Sequence, residues 1–306
     1  MIARRQRIVC VGEAMVELAS RGPAWDVGYG GDTLNQAIHL VRFGYDVAYL
    51  TVLGSDPFAP RMTAAWAREG LDTGLVLRDE VCNTGLYSIS IDERGERHFN
   101  YWRADSAARA LFSHPRIDEA LTQAAEADAL VYSLISLAIL PEEGRERLLE
   151  LASEIRRRSG KVAFDGNYRP RLWDSAATAS RWRDRAAAEA DFGFPTIDDE
   201  RAMVGDEDPE AAAAQWQRAG CDEVVVKLGG AGCRLADGEV IPPEAQLHPV
   251  DSSGAGDAFS AGYLAARLRG ASPHSAARCG HELAGWTLMR AGAIPALDHA
   301  APYGQA

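Results

Sequence analysis

Ala129-Leu-Val-Tyr-Ser133, then a helical stretch opening behind Pro141, then Lys161-Val-Ala-Phe-Asp165, is the passage that decides the fold. Two short apolar runs separated by one helix-length segment read as strand, helix, strand, the repeating unit of a parallel sheet. The rhythm continues outward from there. An Ala-rich helix over 209 to 219 stops at Gly220, and Val224-Val-Val-Lys227 follows as a third buried run. Near the start, Ile8-Val-Cys-Val11 reads as a first buried strand. The expectation is an α/β fold with a largely parallel central sheet and helices on both faces.

The first hundred residues break this rhythm. Segments 13 to 20, 25 to 30, 84 to 92 and 96 to 103 read as short strands with polar alternation, and the last two form a hairpin around Glu93-Arg-Gly95. Such pieces do not join a parallel sheet easily. They imply a small antiparallel sheet, built from insertions at about 13–30 and 84–104, projecting from a single α/β body as a lid.

Composition sets the outer limits. With 306 residues, 47% hydrophobic and 25% charged, the chain is long enough for one large core and shows no bias toward disorder. The net charge of −12, with no long Lys/Arg run, argues against general affinity for nucleic acid. Five cysteines without a CxxC pair argue against a disulfide framework or a zinc site and fit a reducing cytoplasm. Glu13 interrupts the N-terminal apolar run too early for a signal peptide, and the longest uncharged stretch, 129 to 140, is too short to span a bilayer.

Four clusters carry chemistry. In Asp251-Ser-Ser-Gly-Ala-Gly-Asp-Ala-Phe259, two glycines permit a tight turn into a helix that runs to Gly270, so free amides and the positive end of a helix dipole lie beside Asp257. A carboxylate there can take the proton of an attacking hydroxyl. Capping by Asp257 explains a lone Gly-x-Gly-Asp equally well. Lys227-Leu-Gly-Gly-Ala-Gly-Cys233 follows a strand; it is neither a Walker A loop nor a dinucleotide fingerprint, and a plain turn accounts for it too. Gly30-Gly-Asp-Thr-Leu-Asn35 opens a helix, where Asp32 and Asn35 suit a polyhydroxy ligand or Asp32 an N-cap. Asp165-Gly-Asn-Tyr-Arg-Pro-Arg-Leu-Trp173 sits at the carboxyl end of a strand, the edge where open α/β sheets bind ligands. Arg169 there and Arg103 at the end of the lid hairpin could clamp an anion, or be solvated surface residues.

Together, the early Gly-Gly-Asp-x-x-Asn and the late Asp-x-x-Gly-Ala-Gly-Asp resemble the two signatures of the ribokinase-like, or PfkB, carbohydrate kinases across nearly the whole chain. Within that family, 28 to 35, 85 to 87, 95 to 97, 101 to 103 and 167 to 173 are most similar to members acting on 2-keto-3-deoxygluconate. The resemblance implies a ribokinase-like three-layer α/β/α fold with a small β-sheet lid, using ATP and Mg2+, with K+ as a further ion. It implies that Gly31, Asp32 and Asn35 meet the sugar acid, with Tyr87, Tyr101 and Arg103 reaching from the lid and Arg169 holding the carboxylate end or bridging to the nucleotide. Asn167, Lys227, Gly229, Gly230 and Gly232 would border ATP, Gly254, Ala255 and Gly256 form the anion hole, and Asp257 act as base.

Two departures from the family pattern matter. Ser252 and Ser253 replace the usual threonines after Asp251, a position tied to a monovalent cation. The family's Asn-x-x-Glu element, linked to magnesium, is matched here to Ile197-Asp-Asp-Glu200, which keeps Glu200 as metal ligand and loses the Asn, with Asp198 or Asp199 as the residues that could compensate. Rival readings are a fructokinase, ribokinase or nucleoside kinase, a noncatalytic sugar-acid sensor, and, more weakly, a dinucleotide oxidoreductase. Self-association through the exposed face of the lid completes the expectations, because an uncovered sheet has an apolar side to bury.

Overall fold

A computed structural model describes residues 5–22, 24–91, 97–205 and 208–304. Its strands in chain order are β1 (Arg7–Val11), β2 (Met15–Arg21), β3 (Ala24–Gly30), β4 (Asp46–Gly54), β5 (Val76–Asp79), β6 (Leu86–Ile91), β7 (Arg97–Trp102), β8 (Ala129–Ser133), β9 (Lys161–Asp165), β10 (Phe192–Phe194), β11 (Glu223–Val224), β12 (Val226–Lys227), β13 (Cys233–Arg234) and β14 (Val240–Ile241). The helices are α1 (Asp32–Arg42), α2 (Ala59–Glu69), α3 (Ile117–Ala124), α4 (Leu134–Ala138), α5 (Glu142–Arg157), α6 (Ala176–Ala188), α7 (Ile197–Val204), α8 (Pro209–Ala219), α9 (Ala255–Leu268) and α10 (Pro273–Leu288).

Seven strands form one parallel sheet in the order β11-β10-β9-β8-β1-β4-β5. Its strands are apolar on both faces, and the period of two divides them between two cores. Val9, Val11, Leu130, Tyr132, Val162 and Phe164 face α3, α5, α6 and α8, while Ile8, Cys10, Ala129, Val131 and Ala163 face α1, α2, α9 and α10. This is the expected α/β/α sandwich. Chain order runs outward from β1 in both directions, so the strand order reverses beside β1, where the carboxyl edge of such a sheet opens a crevice.

A four-stranded sheet, β3-β2-β6-β7, called the lid, is separate from the seven-stranded one. It is mixed rather than antiparallel: β2 with β3 and β6 with β7 are antiparallel hairpins, but β2 and β6 pair in parallel. Each hairpin fixes only its own two strands, and the joint between insertions is a tertiary contact. The turn expected around Glu93-Arg-Gly95 lies outside the described residues. The run 224 to 227 also differs from its reading as one strand, because β11 ends the main sheet and β12 starts a small antiparallel sheet with β13 and β14. No helix among the described residues is long and apolar enough to cross a membrane.

Candidate active site

At the crevice Gly254 caps α9 with φ 70°, a left-handed conformation that favours glycine. Ala255, Gly256 and Asp257 form the first turn, where helix amides have no intrahelical carbonyl to meet. Asp257 does not cap this helix. Its Oδ2 instead accepts from Asn35 Nδ2 of α1 at 2.7 Å, across 222 residues of sequence. The other reading of Asp32 also fails, since Gly31 holds the N-cap position of α1 and Asp32 is its first residue.

Asp257 stands among like charges. Burial first, then Asp32 and Asp165, push its carboxyl up to about 8, against the pull of Asn35 and Lys227. Asp165, the last residue of β9, binds Lys227 Nζ at 3.0 and 2.9 Å and Ser260 Oγ at 2.9 Å, all buried. This triad fixes the ammonium beside the turn into α9: a β-carbon added to Gly256 would lie 3.7 Å from Lys227 Nζ. Asn167 Nδ2 donates to Asp32 Oδ2 at 3.0 Å, which ties the loop after β9 to the head of α1. Gly229 and Gly232, with φ 59° and 104°, shape the turn after Lys227, and Gly230 accepts from Gln246 at 3.1 Å.

The lid residues reach the same crevice in series. Tyr87 is buried, and its hydroxyl, kept protonated by burial and by Glu17 with a smaller push from Asp257, donates to Glu17. Tyr101 lies 5.9 Å from Tyr87 between ring centroids, and the Arg103 guanidinium sits 5.9 Å from the Tyr101 ring. Arg103 is not a bare cation: Nη2 pairs with buried Glu13, which also accepts from Ser106. Arg169 is half exposed, with Nη1 on the Tyr168 carbonyl at 2.7 Å and 3.4 Å from Asp199. Two buried polar atoms here lack partners, Asn35 Oδ1 beside Asp257 and Arg103 Nε under the lid. Such atoms are costly to leave unpaired and mark where a ligand donates and accepts.

Glu200 is a correction. It is wholly buried, with Oε2 taken by Arg183 Nη1 at 2.5 Å and Oε1 by Trp216 Nε1 at 3.0 Å, so it points into the core between α6 and α8. Its neighbour Asp199 faces the site, accepting from Tyr168 N at 3.3 Å and lying in the field of Lys227 and Asp165. Asp251 bridges two loops, accepting from Ser253 N and Gly292 N at 2.8 Å each. Sequence reasoning missed Glu13, Asp165 and Ser260, and offered Asp199 only as a substitute for the lost Asn. An acid ending a buried strand, as Asp165 does, was the available signal. A groove of about 780 Å³ lies at the opposite edge of the sheet, where Lys161 is matched with Asp191 and Arg267 with Glu223, so it offers no comparable chemistry.

A glycine turn at a helix N-terminus, a raised buried carboxylate and a lysine fixed beside them are the arrangement expected of a phosphotransferase of the ribokinase-like type. The family model "pfkB family carbohydrate kinase" matches residues 5–300, and the chain belongs to that family. A 2-dehydro-3-deoxygluconokinase of Dickeya dadantii is 40% identical over 303 residues, covering 96% of this chain and 98% of the relative. Among solved structures, a PfkB protein from Polaromonas sp. JS666 is 27% identical with TM-score 0.79, covering 95% of this chain and 97% of its own. The fold is shared with aminoimidazole riboside kinase from Salmonella enterica, solved with aminoimidazole riboside and an ATP analogue, at TM-score 0.82 and 22% identity over 96% and 97% of the two chains.

Proposed function

We propose that this kinase transfers the γ-phosphoryl group of ATP to the C6 hydroxyl of 2-keto-3-deoxygluconate, giving 2-keto-3-deoxy-6-phosphogluconate and ADP. The observation that carries the reading is the pair of orphaned buried atoms in one crevice, the Asn35 acceptor for a hydroxyl and the Arg103 donor for an acid or keto oxygen. The 40% identity with a 2-dehydro-3-deoxygluconokinase over almost the full chain supports the choice of acceptor. Phosphorylation of this acid measured against fructose and ribose tests it; equal rates on all three would refute it.

The residues act as follows. Gly31, Asp32 and Asn35 hold the sugar hydroxyls, Tyr87 and Tyr101 cover it, and Arg103 with Arg169 takes the carboxylate end. Closure of the lid excludes water that would otherwise receive the phosphoryl group. Asp257 removes the proton of the hydroxyl as its oxygen bonds to the γ-phosphorus and the bond to the β-phosphate oxygen breaks, ADP carrying away the electron pair. The amides of the α9 first turn and the Lys227 ammonium stabilise the transferring charge. Asn167, Gly229, Gly230 and Gly232 border the nucleotide. Acids outnumber cations around Lys227, so the residues fit a divalent ion; Mg2+ would lie by Asp199 and supply charge neutralisation to the phosphates.

Arg103→Ala is expected to raise KM for the acid about 10- to 100-fold, the worth of a charged hydrogen bond of about 1.5–3 kcal/mol, with little change for fructose. Steady-state kinetics on both sugars checks this split. Equal losses on both would remove Arg103 from acid recognition.

The same proposal includes a potassium ion near Asp251, checked by higher turnover in potassium than in sodium buffer, and a cytoplasmic location, consistent with five free cysteines. It also includes a homo-oligomer through the lid. Trp25, Val27 and Trp102 share by register the face opposite Tyr87 and are 48%, 47% and 60% exposed. Trp102→Glu should therefore shift sedimentation toward the monomer; an unchanged profile would place any interface elsewhere.

A further inference from the structure

Gly254 is pressed against a segment that phosphoryl transfer does not otherwise use. A β-carbon on Gly254 would stand 2.5 Å from the Ala293 β-carbon. Ala293 belongs to the irregular chain after α10, which is tied down at four places. Gly292 N donates to Asp251 on the loop leading into the anion-hole turn. Arg42 Nη1 donates to the Pro295 carbonyl at 2.8 Å, while its Nε and Nη2 hold Glu69 at 2.9 and 2.8 Å. Asp298 accepts from Trp286 Nε1 at 3.0 Å and Arg290 Nε at 2.8 Å. Tyr303 then closes the segment, its hydroxyl 2.7 Å from His39 Nδ1 and its ring edge-on to Phe43 and Trp286, at 5.0 and 5.8 Å between centroids.

His39 joins these parts. It lies on α1 one turn beyond Asn35, fully buried, and burial pushes its imidazole down to about 3, so it is neutral with a single N–H. Nδ1 is engaged by Tyr303. Nε2 approaches the Ala293 backbone without closing a hydrogen bond of ordinary geometry. A series of neighbours therefore runs from Tyr303 through His39 and Ala293 to Gly254. The start of α1 carries Asp32 and Asn35 for the acceptor, and its later turns carry His39 and Arg42, which hold the segment against the anion hole.

We infer that Tyr303 is a positioning residue for phosphoryl transfer: through His39 and Ala293 it fixes the anion-hole turn relative to the acceptor-binding end of α1. Transfer demands this alignment, since a displacement of about 1 Å far from the reacting atoms can cost about 100-fold in rate. Acceptor binding, made by the lid and the first turn of α1, involves no contact with Tyr303. The inference rests on the Asp257 turn being the transfer site and is independent of which sugar is the acceptor.

The test compares Tyr303→Phe, which keeps the ring and removes the hydroxyl, with Tyr303→Ala. The expected result is a kcat about 10-fold lower in the Phe variant and lower still in the Ala variant, with the acceptor KM within about twofold of wild type. ADP released should exceed sugar phosphate formed, because a misaligned acceptor leaves the phosphoryl group to water. A lower Tm with unchanged kcat and a one-to-one product ratio would overturn the inference, as would a rise in KM at constant kcat. If the Ala variant does not fold, the Phe variant carries the test. Failure of wild type to phosphorylate 2-keto-3-deoxygluconate would refute the acceptor assignment alone, the variants then being compared on the sugar it does accept.

Discussion

Asp257→Asn is expected to lower kcat by about 100-fold or more, the usual worth of a positioned general base, while KM for the sugar changes little. The substitution is nearly isosteric, and an amide can keep the contact with Asn35 once that side chain turns over. Only proton removal is lost. Turnover near that of wild type, measured as ADP release dependent on the sugar, would take the role of base away from Asp257.

The same residue sets a pH dependence whose sign follows from its surroundings. Burial beside Asp32 and Asp165 holds the proton on Asp257 up to about 8, so kcat/KM should climb with pH and level off above that point, because this ratio reports the free enzyme. Stability runs the other way. The folded pKa lies above the ordinary value of 3.8, so the folded chain retains a proton that the unfolded chain has lost, and this contribution declines as pH rises from about 4 to about 8. Asp257→Asn should accordingly melt above wild type at pH 8 or higher, the gap closing toward pH 4. Thermal melts across that range, read beside the rate profile, separate the catalytic cost from the electrostatic relief.

Local signals in the chain had different reach. Short apolar runs around 129 to 165 place the sheet because a strand buried on both faces needs no partner information to be recognised. Gly254 and Gly256 likewise announce a turn by backbone chemistry alone. Arg103 shows the limit: its spacing points to a clamp, but the buried Glu13 that takes part of its hydrogen-bonding capacity lies 90 residues away and meets it only through the parallel joint between the two lid hairpins. Asp199 and Glu200 show another. One residue along a helix is a rotation of about 100°, enough to move a carboxylate from the crevice to the core, and a motif match with one slipped position cannot see it.

Arg183→Met turns that slip into a measurement. Arg183 and Glu200 are both inaccessible to solvent and joined at 2.5 Å, with Asp184 and Ser180 holding the rest of the guanidinium and Trp216 the second Glu200 oxygen. Removing the cation leaves a buried carboxylate without its charge partner, a loss of about 3–5 kcal/mol for a broken buried pair. In a chain of this size that should appear as a Tm lower by roughly 5–8 °C. Glu200→Gln is gentler on the fold, since its amide oxygen can still meet Trp216 Nε1 while Asp184 keeps part of the Arg183 charge matched. A structural Glu200 leaves kcat and the magnesium dependence of the folded Gln variant as in wild type, with only the melting point reduced. An altered magnesium requirement at intact folding would instead return Glu200 to the metal, and Asp199→Asn measured beside it shows which carboxylate the ion uses.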